Sequence, residues 1–314
     1  MAQQIIDAVP VEAIEAELVP EAFLRKTNKG NNEIYIISAA TSPNVMREIG
    51  RLREIAFRSA GGGTGNDCDI DRFDTMDPPC RQLIVWDPEE RAIIGGYRFI
   101  LGRDIRFNPD GSPRIATSHM FRFSHRFISD YLPYTIELGR SFVRLEYQSS
   151  RVGAKAIFAL DNLWDGLGAL TVIYPEIRYL FGKFTMYPSY PRECRDILLY
   201  FLKKHFPDPD KLVRPISPIE IRFSEQKYNS MFSGNNFKED YKILNAAIRE
   251  QGINIPPLVN AYMGLSPTMK IFGTAINDEF GDVEETGIFV TISDIFEEKK
   301  ERHIATYHLL SSPK

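Results

Sequence analysis

The 314-residue sequence lacks several features that identify large classes of protein. It contains no run of about 18 consecutive apolar residues, so no transmembrane helix is expected. The N-terminus is acidic and interrupted by prolines, unlike a signal peptide with its basic start and apolar middle. A formal net charge of -4 gives no reason to expect nucleic acid as the main partner. We therefore expect a cytoplasmic protein, and peripheral contact with the inner membrane is compatible with this composition.

Cysteine is scarce, and motifs for two common chemistries are missing. Cys68, Cys80 and Cys194 are an odd number for disulfides and lack the close spacing of a structural zinc site. We therefore expect reduced thiols and no bound metal. The glycine-rich residues 61–65 lack the Lys-Ser/Thr end of a P-loop, and no G-x-S-x-G motif is present. Nucleotide binding and catalysis by a serine hydrolase are thus poorly supported. We expect residues 61–65 to form a mobile lid.

Strand and helix patterns alternate along most of the chain, which predicts a layered α/β or α+β domain. We predict strands at residues 33–39, where apolar residues alternate, and at residues 82–87, 92–101, 135–147, 178–186, 270–276 and 286–292. Helical spacing predicts a helix at residues 45–60, a mostly apolar segment predicts a buried helix at residues 154–174, and we predict further helices at residues 11–24, 121–132 and 191–206. We divide the chain into an N-terminal extension (1–31), a core (32–206), a mainly helical insertion without strands (207–269), returning strands of the core (270–296) and a tail (297–314).

Three short motifs occur in order, DIDRFD at residues 69–74, GGYRF at 95–99 and IELGRSFV at 136–143. Together they resemble the acyl-carrier-dependent branch of the GNAT superfamily. This branch includes ornithine and glycine N-acyltransferases, proteins labelled hemolysin-like and, more distantly, acyl-homoserine lactone synthases. The resemblance covers about residues 25–295. It implies a mixed, mostly antiparallel central sheet flanked by helices, with a helical insertion.

The same resemblance implies an activity. A long-chain acyl group, plain or 3-hydroxylated, would pass from the phosphopantetheine of acyl carrier protein, or from acyl-CoA, to the amine of an amino acid such as glycine or ornithine. The product would serve aminolipid synthesis. Two alternatives stay open: a signal synthase of the acyl-homoserine lactone kind, and a hemolysin-like membrane-active or binding protein without catalysis.

The strand at residues 136–143 carries the expected transfer chemistry. Its internal Gly139 is typical of a bulge, which splays two strands apart and frees backbone N–H groups. The resemblance implies that the gap admits the pantetheine arm. It also implies that backbone around Phe142 and Val143 binds the thioester oxygen, where negative charge develops.

Glu137, on the same strand, is the candidate general base. A base is needed because the acceptor amine is protonated, and Glu137 would remove that proton directly or through water. The alternative is a structural carboxylate paired with Arg140 or Arg98, and related synthases use such ion pairs to shape the site. Arg140 is counted with the catalytic residues for this reason.

Two acidic and two basic residues match substrate-binding positions of the family. Asp71 and Asp74 would hold the acceptor cation, and Arg53 and Arg98 are the matching basic residues. Arg98 or Arg140 could fork onto the carboxylate of an amino acid acceptor. The alternatives are solvated surface carboxylates and internal aspartate–arginine pairs.

Residues 149–158, SSRVGAKAIF, resemble a shortened GNAT phosphate-binding turn at a helix N-terminus. Ala154 replaces a usual glycine and the spacing is compressed, which favours a carrier-bound phosphopantetheine over coenzyme A. An ordinary strand-to-helix turn is the alternative. The matching positions are Arg151, Gly153, Ala154 and Lys155. Because carrier protein is acidic, we expect a basic docking surface. It would include Arg151, Lys155, Lys183 and Arg192.

Overall fold

The structure, a computed structural model, describes residues 2–148, 154–221, 225–234 and 236–307. An eight-stranded sheet runs through it, with helices on both faces. The strands are β1 (Phe23–Lys26), β2 (Glu33–Ile37), β3 (Arg81–Asp87), β4 (Ala92–Leu101), β5 (Phe121–Phe123), β6 (Thr135–Val143), β7 (Tyr179–Met186), β8 (Val213–Pro215), β9 (Lys270–Asn277) and β10 (Val283–Thr291). The helices are α1 (Val11–Glu15), α2 (Pro43–Ala60), α3 (Arg72–Thr75), α4 (Ala154–Ile173), α5 (Arg192–His205), α6 (Glu225–Met231), α7 (Phe237–Glu250), α8 (Pro257–Met263) and α9 (Glu297–Lys300).

The sheet order is β1-β2-β3-β4-β6-β7-β10-β9, and β5 pairs with β8 in a separate two-stranded ribbon. Every neighbouring pair in the large sheet is antiparallel except β6 and β7. This arrangement confirms the mixed, mostly antiparallel sheet that the resemblance implied.

Alternation along the central strands builds two cores on opposite faces of the sheet. On β3, Leu83 and Val85 pack with α4 and α5, whereas Ile84 and Trp86 pack with α2. Successive side chains of a strand point to opposite faces, so a strand covered on both sides reads as a continuous apolar run. Gly166 allows α4 to pack close to β3, because a Cβ at this position would lie 2.6 Å from Leu83 Cδ2.

Local signals explain where α2 begins and ends. Pro43 stands at the first helical position, where its missing N–H costs no hydrogen bond. Gly61 ends the helix in the left-handed conformation with φ +94°. The carboxylate of Glu54 then accepts hydrogen bonds from Thr64 N at 3.1 Å and Gly65 N at 2.7 Å. This loop is held against α2, which does not support the expected lid.

Three predicted elements are wrong in part. The helix predicted at residues 11–24 ends at Glu15, because Pro20 begins a separate short turn. The residues after that turn form β1, which pairs with β2. The predicted helix at residues 121–132 starts with β5, where Phe121 packs in an apolar cluster, so tertiary packing overrides the local pattern. Its partner β8 lies in the insertion that was expected to lack strands. The predicted strand at residues 135–147 ends at Val143.

Two features are absent from the described part of the chain. None of the helices there is both long and apolar enough to cross a membrane. No group of three or more His, Cys, Asp and Glu side chains there could hold a metal ion.

Candidate active site

The central strands β6 and β7 separate from each other halfway along their length. They pair over three residues only, ending at Glu137 opposite Phe181. Beyond that point β6 stays paired with β4 as far as Val143, and β7 stays paired with β10 as far as Met186. Each strand is therefore held by its outer neighbour, and a gap opens between the two inner edges.

A bulge in β6 accompanies this separation. Arg98 faces Gly139 and Gly96 faces Phe142, so β6 has one residue more than β4 in this interval. The extra residue lies at the Arg140–Ser141 step, where Arg140 has a positive φ of 48°. A bulge bends its strand and increases the local twist. The bulge inferred from Gly139 is confirmed, and it falls directly after that glycine.

The glycines of the GGYRF motif allow β4 to lie close to both of its neighbours, β6 at Gly95 and β3 at Gly96. A Cβ on Gly95 would lie 2.5 Å from the carbonyl oxygen of Phe142, and a Cβ on Gly96 would lie 2.8 Å from that of Leu83. Both distances are shorter than real Cβ contacts allow. The motif is therefore explained by backbone packing beneath the bulge.

A cavity of about 850 Å³ fills the gap between β6 and β7. Side chains of β7 alternate across it: Phe184 belongs to the core on the α4 side, whereas Lys183 faces Glu285 on the α2 side. We call the α4 side the apolar arm, which is lined by Ala159, Trp164, Leu167, Leu258, Leu265 and Ile288. We call the α2 side the polar wall, which is lined by Arg140, Lys183, Thr185 and Tyr187.

Behind the polar wall lies a buried network of arginines and aspartates. Arg98 donates to both oxygens of Asp71 at 2.8 and 2.7 Å and lies 3.4 Å from Asp74. Arg53 lies 3.5 Å from the other oxygen of Asp74. Arg140 lies 3.0 Å from Asp69 and 3.4 Å from Asp71. The network fixes α3 and the bulged strand relative to each other.

The DIDRFD motif also caps α3. The Phe73 N–H donates to Asp71 Oδ1 at 2.8 Å, and the Asp71 N–H donates to Asp74 Oδ2 at 3.0 Å, which completes a capping box. Burial opposes the charge of Asp71, but Arg98 and Arg140 lower the pKa of its carboxyl to about 2. The motif is thus a structural unit in which Asp71 keeps its negative charge.

The predicted substrate-binding residues Arg53, Asp71, Asp74 and Arg98 are brought together, but none of them lines the cavity. Their charges are used internally, because Arg53, Arg98 and Asp74 are fully buried. This geometry agrees with the internal aspartate–arginine pairs that the sequence left open.

Glu137 lies at the point where β6 and β7 separate and is 2% exposed. Within the described residues its carboxylate has neither a hydrogen-bond nor an ion-pair partner, because Arg98 and Arg140 contact aspartates instead. Burial raises the pKa of Glu137, although Arg98 and Lys183 act in the opposite direction. The alternative of an ion pair between Glu137 and Arg98 or Arg140 is therefore not supported.

Comparison with known proteins now identifies the family. A model described as the acetyltransferase (GNAT) domain matches residues 52–157, which contain all three motifs. Two relatives are named glycine N(alpha)-acyltransferase, one from Bacteroides thetaiotaomicron and one from Phocaeicola vulgatus. The first is 62% identical over 97% of this chain and 90% of the relative. The second is 59% identical over 97% of this chain and 94% of the relative.

The chain is a GNAT acyltransferase. The resemblance drawn from the three motifs is thereby confirmed, and the protein is an enzyme that transfers an acyl group to an amine. Two solved structures are also similar at low scores. An N-acyl amino acid synthase from uncultured soil microbes has a TM-score of 0.39 and 10% identity, covering 88% of this chain and 98% of that chain. A CoA-dependent acyl-homoserine lactone synthase has a TM-score of 0.36 and 11% identity, covering 90% of this chain and 91% of that chain.

The backbone of this GNAT acyltransferase directs the N–H of Val143 toward the gap. Arg144 N donates to Ile94 O of β4 at 2.8 Å. Backbone groups of a strand alternate between its two edges, so the N–H of Val143 points away from β4 and toward the gap, and that of Phe142 points toward β4. The Gln148 side chain donates to the Val143 carbonyl, which agrees with this orientation. Of the two predicted amides, Val143 is thus the one directed at the cavity.

The predicted carrier-binding residues are only partly described. Arg151 and Gly153 lie outside the described residues, and Ala154 begins α4 with Lys155 next to it. Later turns of α4 line the apolar arm, so this helix begins close to one side of the cavity. Arg192 is exposed at the first position of α5.

Lys183 was expected on the carrier-docking surface, and that prediction is wrong. Its ammonium pairs with the fully buried Glu285 of β10 inside the molecule. Burial lowers the pKa of Lys183, and Glu285 opposes this shift. Glu285 was missed by sequence reasoning, although an acidic pair inside the apolar strand β10 is a signal for a buried partner.

Proposed function

We propose that this acyltransferase moves a long-chain acyl group, plain or 3-hydroxylated, from the phosphopantetheine thioester of acyl carrier protein to the amine of glycine. The product, an N-acylglycine, would enter aminolipid synthesis. The observation that carries the proposal is the cavity between β6 and β7, which has the apolar arm on one side and the polar wall, with its two cations, on the other. Glycine is favoured over ornithine because both relatives that match nearly the whole chain carry glycine in their names.

The two sides of the cavity suit the two substrates, the acyl chain and the amino acid. An acyl chain gains about 0.8 kcal/mol for each methylene that it buries, so the apolar arm suits the fatty tail. A small amino acid carries charges and suits the polar wall. The thioester would then lie in the gap, where the Val143 N–H can donate to its carbonyl oxygen as negative charge develops.

The transfer itself is a direct displacement. The neutral amine of glycine attacks the thioester carbonyl carbon, an amide bond forms, the bond from that carbon to sulfur breaks, and the carrier thiolate leaves and takes up the proton that the nitrogen loses. Glu137 is the proposed acceptor of the ammonium proton, through water, since its carboxylate lies at the vertex of the gap without a partner among the described residues. Its raised pKa makes it a stronger base than an ordinary glutamate.

The proposed acyl donor is acyl carrier protein, and acyl-CoA is the alternative donor. The compressed spacing of the motif at residues 149–158 of the sequence and the alanine at position 154 support phosphopantetheine without the nucleotide of coenzyme A. The exposed Arg192, together with Arg151 and Lys155, would meet the acidic carrier surface.

Labelled lipid extracts test the proposed function in cells. Cells expressing the wild type or Glu137→Ala would receive isotopically labelled glycine or ornithine in separate cultures, and the lipids would be analysed by mass spectrometry. We expect an N-acyl lipid labelled from glycine with the wild type only. An N-acyl lipid labelled from ornithine would show that ornithine, and not glycine, is the acceptor. The absence of any labelled N-acyl lipid would reject the proposal. Cell lysis by an inactive Glu137→Ala protein would favour the membrane-active alternative.

A further inference from the structure

The charged residues that line the cavity share one sign. Within the described residues, Arg140 and Lys183 are the charged side chains of its lining, and both are cations. The acidic groups near them do not line the cavity: Asp69 and Glu285 are fully buried behind the two cations, Asp71 lies 3.4 Å from Arg140, and Glu137 is buried at the vertex of the gap. A ligand in this part of the cavity therefore meets positive charge first, and the polar wall favours an anionic group.

Both cations flank one aromatic ring. The guanidinium of Arg140 lies 4.5 Å from the centre of the Phe280 ring, and Lys183 Nζ lies 6.0 Å from the same centre. Phe280 itself lines the cavity. The two positive groups thus lie beside one ring of the cavity lining, where a single anionic group can contact both.

Each cation keeps donors for a ligand. An ammonium has three N–H donors, and the described contact of Lys183 Nζ is with Glu285 Oε1. A guanidinium has five, and in the described contacts Asp69 and Asp71 approach Nε and Nη2 of Arg140. Glu285 also accepts from Thr185 Oγ1 at 3.0 Å and Asn277 Nδ2 at 3.3 Å, so the partner of Lys183 is rigidly held.

We propose that Lys183, together with Arg140, binds the carboxylate of the amino acid acceptor. This inference rests on the proposed function, because it assigns a role within the transfer to glycine. In an α-amino acid the amine is two bonds from the carboxylate carbon. Fixing the carboxylate at the polar wall therefore holds the amine within the gap, next to the thioester and on the side of Glu137. Lys183 is a binding residue in this scheme and takes no proton.

Glycinamide tests this role because it keeps the amine and lacks the carboxylate. We would measure kcat/KM of the purified enzyme for glycine and glycinamide with one acyl thioester. Loss of one charge-assisted contact should lower kcat/KM for glycine by about 10- to 100-fold in Lys183→Met, with little change for glycinamide. The ratio of the two values is the readout, because a merely structural lysine would change both equally.

Three further variants keep the test decisive. Lys183→Met leaves Glu285 without its cation, so Lys183→Met/Glu285→Gln provides a folded form without either charge. Lys183→Arg should restore much of the preference for glycine. Lys242→Met removes an exposed lysine of α7 and should leave the ratio unchanged.

Two outcomes overturn the inference in different ways. If Lys183→Met and the double variant transfer acyl groups with the wild-type ratio of glycine to glycinamide, Lys183 does not bind the carboxylate, and the proposed function stands. If the wild type acylates neither amine from any donor, the proposed function fails and this inference fails with it.

Discussion

Substituting leucine for Ala159 should shorten the acyl chain that the enzyme prefers. Ala159 lies on α4, is 1% exposed and lines the apolar arm. The leucine side chain adds three carbon atoms, which would occupy the space of about three methylenes of the acyl chain. The long donor should lose its advantage, while a donor short enough to avoid the new side chain should be transferred as before.

The magnitude follows from burial of the chain. Each buried methylene contributes about 0.8 kcal/mol, so excluding about three of them costs about 2.4 kcal/mol. That free energy corresponds to a factor of about 50 in kcat/KM for the long donor relative to the short one. Part of the loss can be recovered if the side chain shifts, so about 50-fold is an upper limit.

The assay is a competition between hexadecanoyl and dodecanoyl thioesters, with the two acylated products measured by mass spectrometry. Ala169→Leu is the matched control, since Ala169 is equally buried on the same helix and does not line the cavity. Overpacking should destabilise this control by about 1–3 kcal/mol without changing its chain preference. An unchanged product ratio in folded Ala159→Leu protein would refute the assignment of the apolar arm to the acyl chain.

Three other predictions concern the network, the unpaired carboxylate and the donor. Asp74→Ala removes the fully buried carboxylate that Arg53 and Arg98 share and should lower the free energy of unfolding by about 3–5 kcal/mol, measured by urea denaturation; a loss below about 1 kcal/mol would contradict the network's role. The pKa of Glu137 is raised in the folded state, so the stability that its protonated carboxyl contributes is fully present below the ordinary pKa of 4.5 and is lost as pH rises through the raised pKa. Glu137→Gln cannot ionise and should therefore be more stable than the wild type at neutral pH, whereas thermal melts near pH 4.5 should show no difference. Arg192→Glu should reduce transfer from carrier-bound donor several-fold at low salt and little at high salt, and equal effects at both would argue against electrostatic docking.

Local patterns predicted the elements that hold the site. The apolar spacing of α2, the long apolar segment of α4 and the apolar runs of β3 and β4 are local patterns, so they could be recognised in the sequence. Gly139 likewise indicated the bulge, because a glycine inside a strand is typical of that feature. The three ordered motifs supplied the family.

Pairing between distant residues could not be predicted. Alternation places Lys183 and Thr185 on one face of β7, but buried apolar clusters lie on both faces of this strand, so the pattern does not say what each face meets. The sequence therefore suggested an exposed Lys183, whereas Glu285, some hundred residues away, holds it inside. The same reason explains why Asp71 and Asp74 looked like ligand-binding residues: their arginine partners come from α2, β4 and β6.

The central claim is that this acyltransferase joins a thioester-bound acyl group to glycine. The most direct test incubates purified protein with an acylated carrier protein and isotopically labelled glycine, and measures released thiol and labelled N-acylglycine in the same samples. We expect one N-acylglycine for each thiol released, with no thiol release when glycine is omitted. Thiol release without labelled product, or neither product with any acyl donor, would contradict the account.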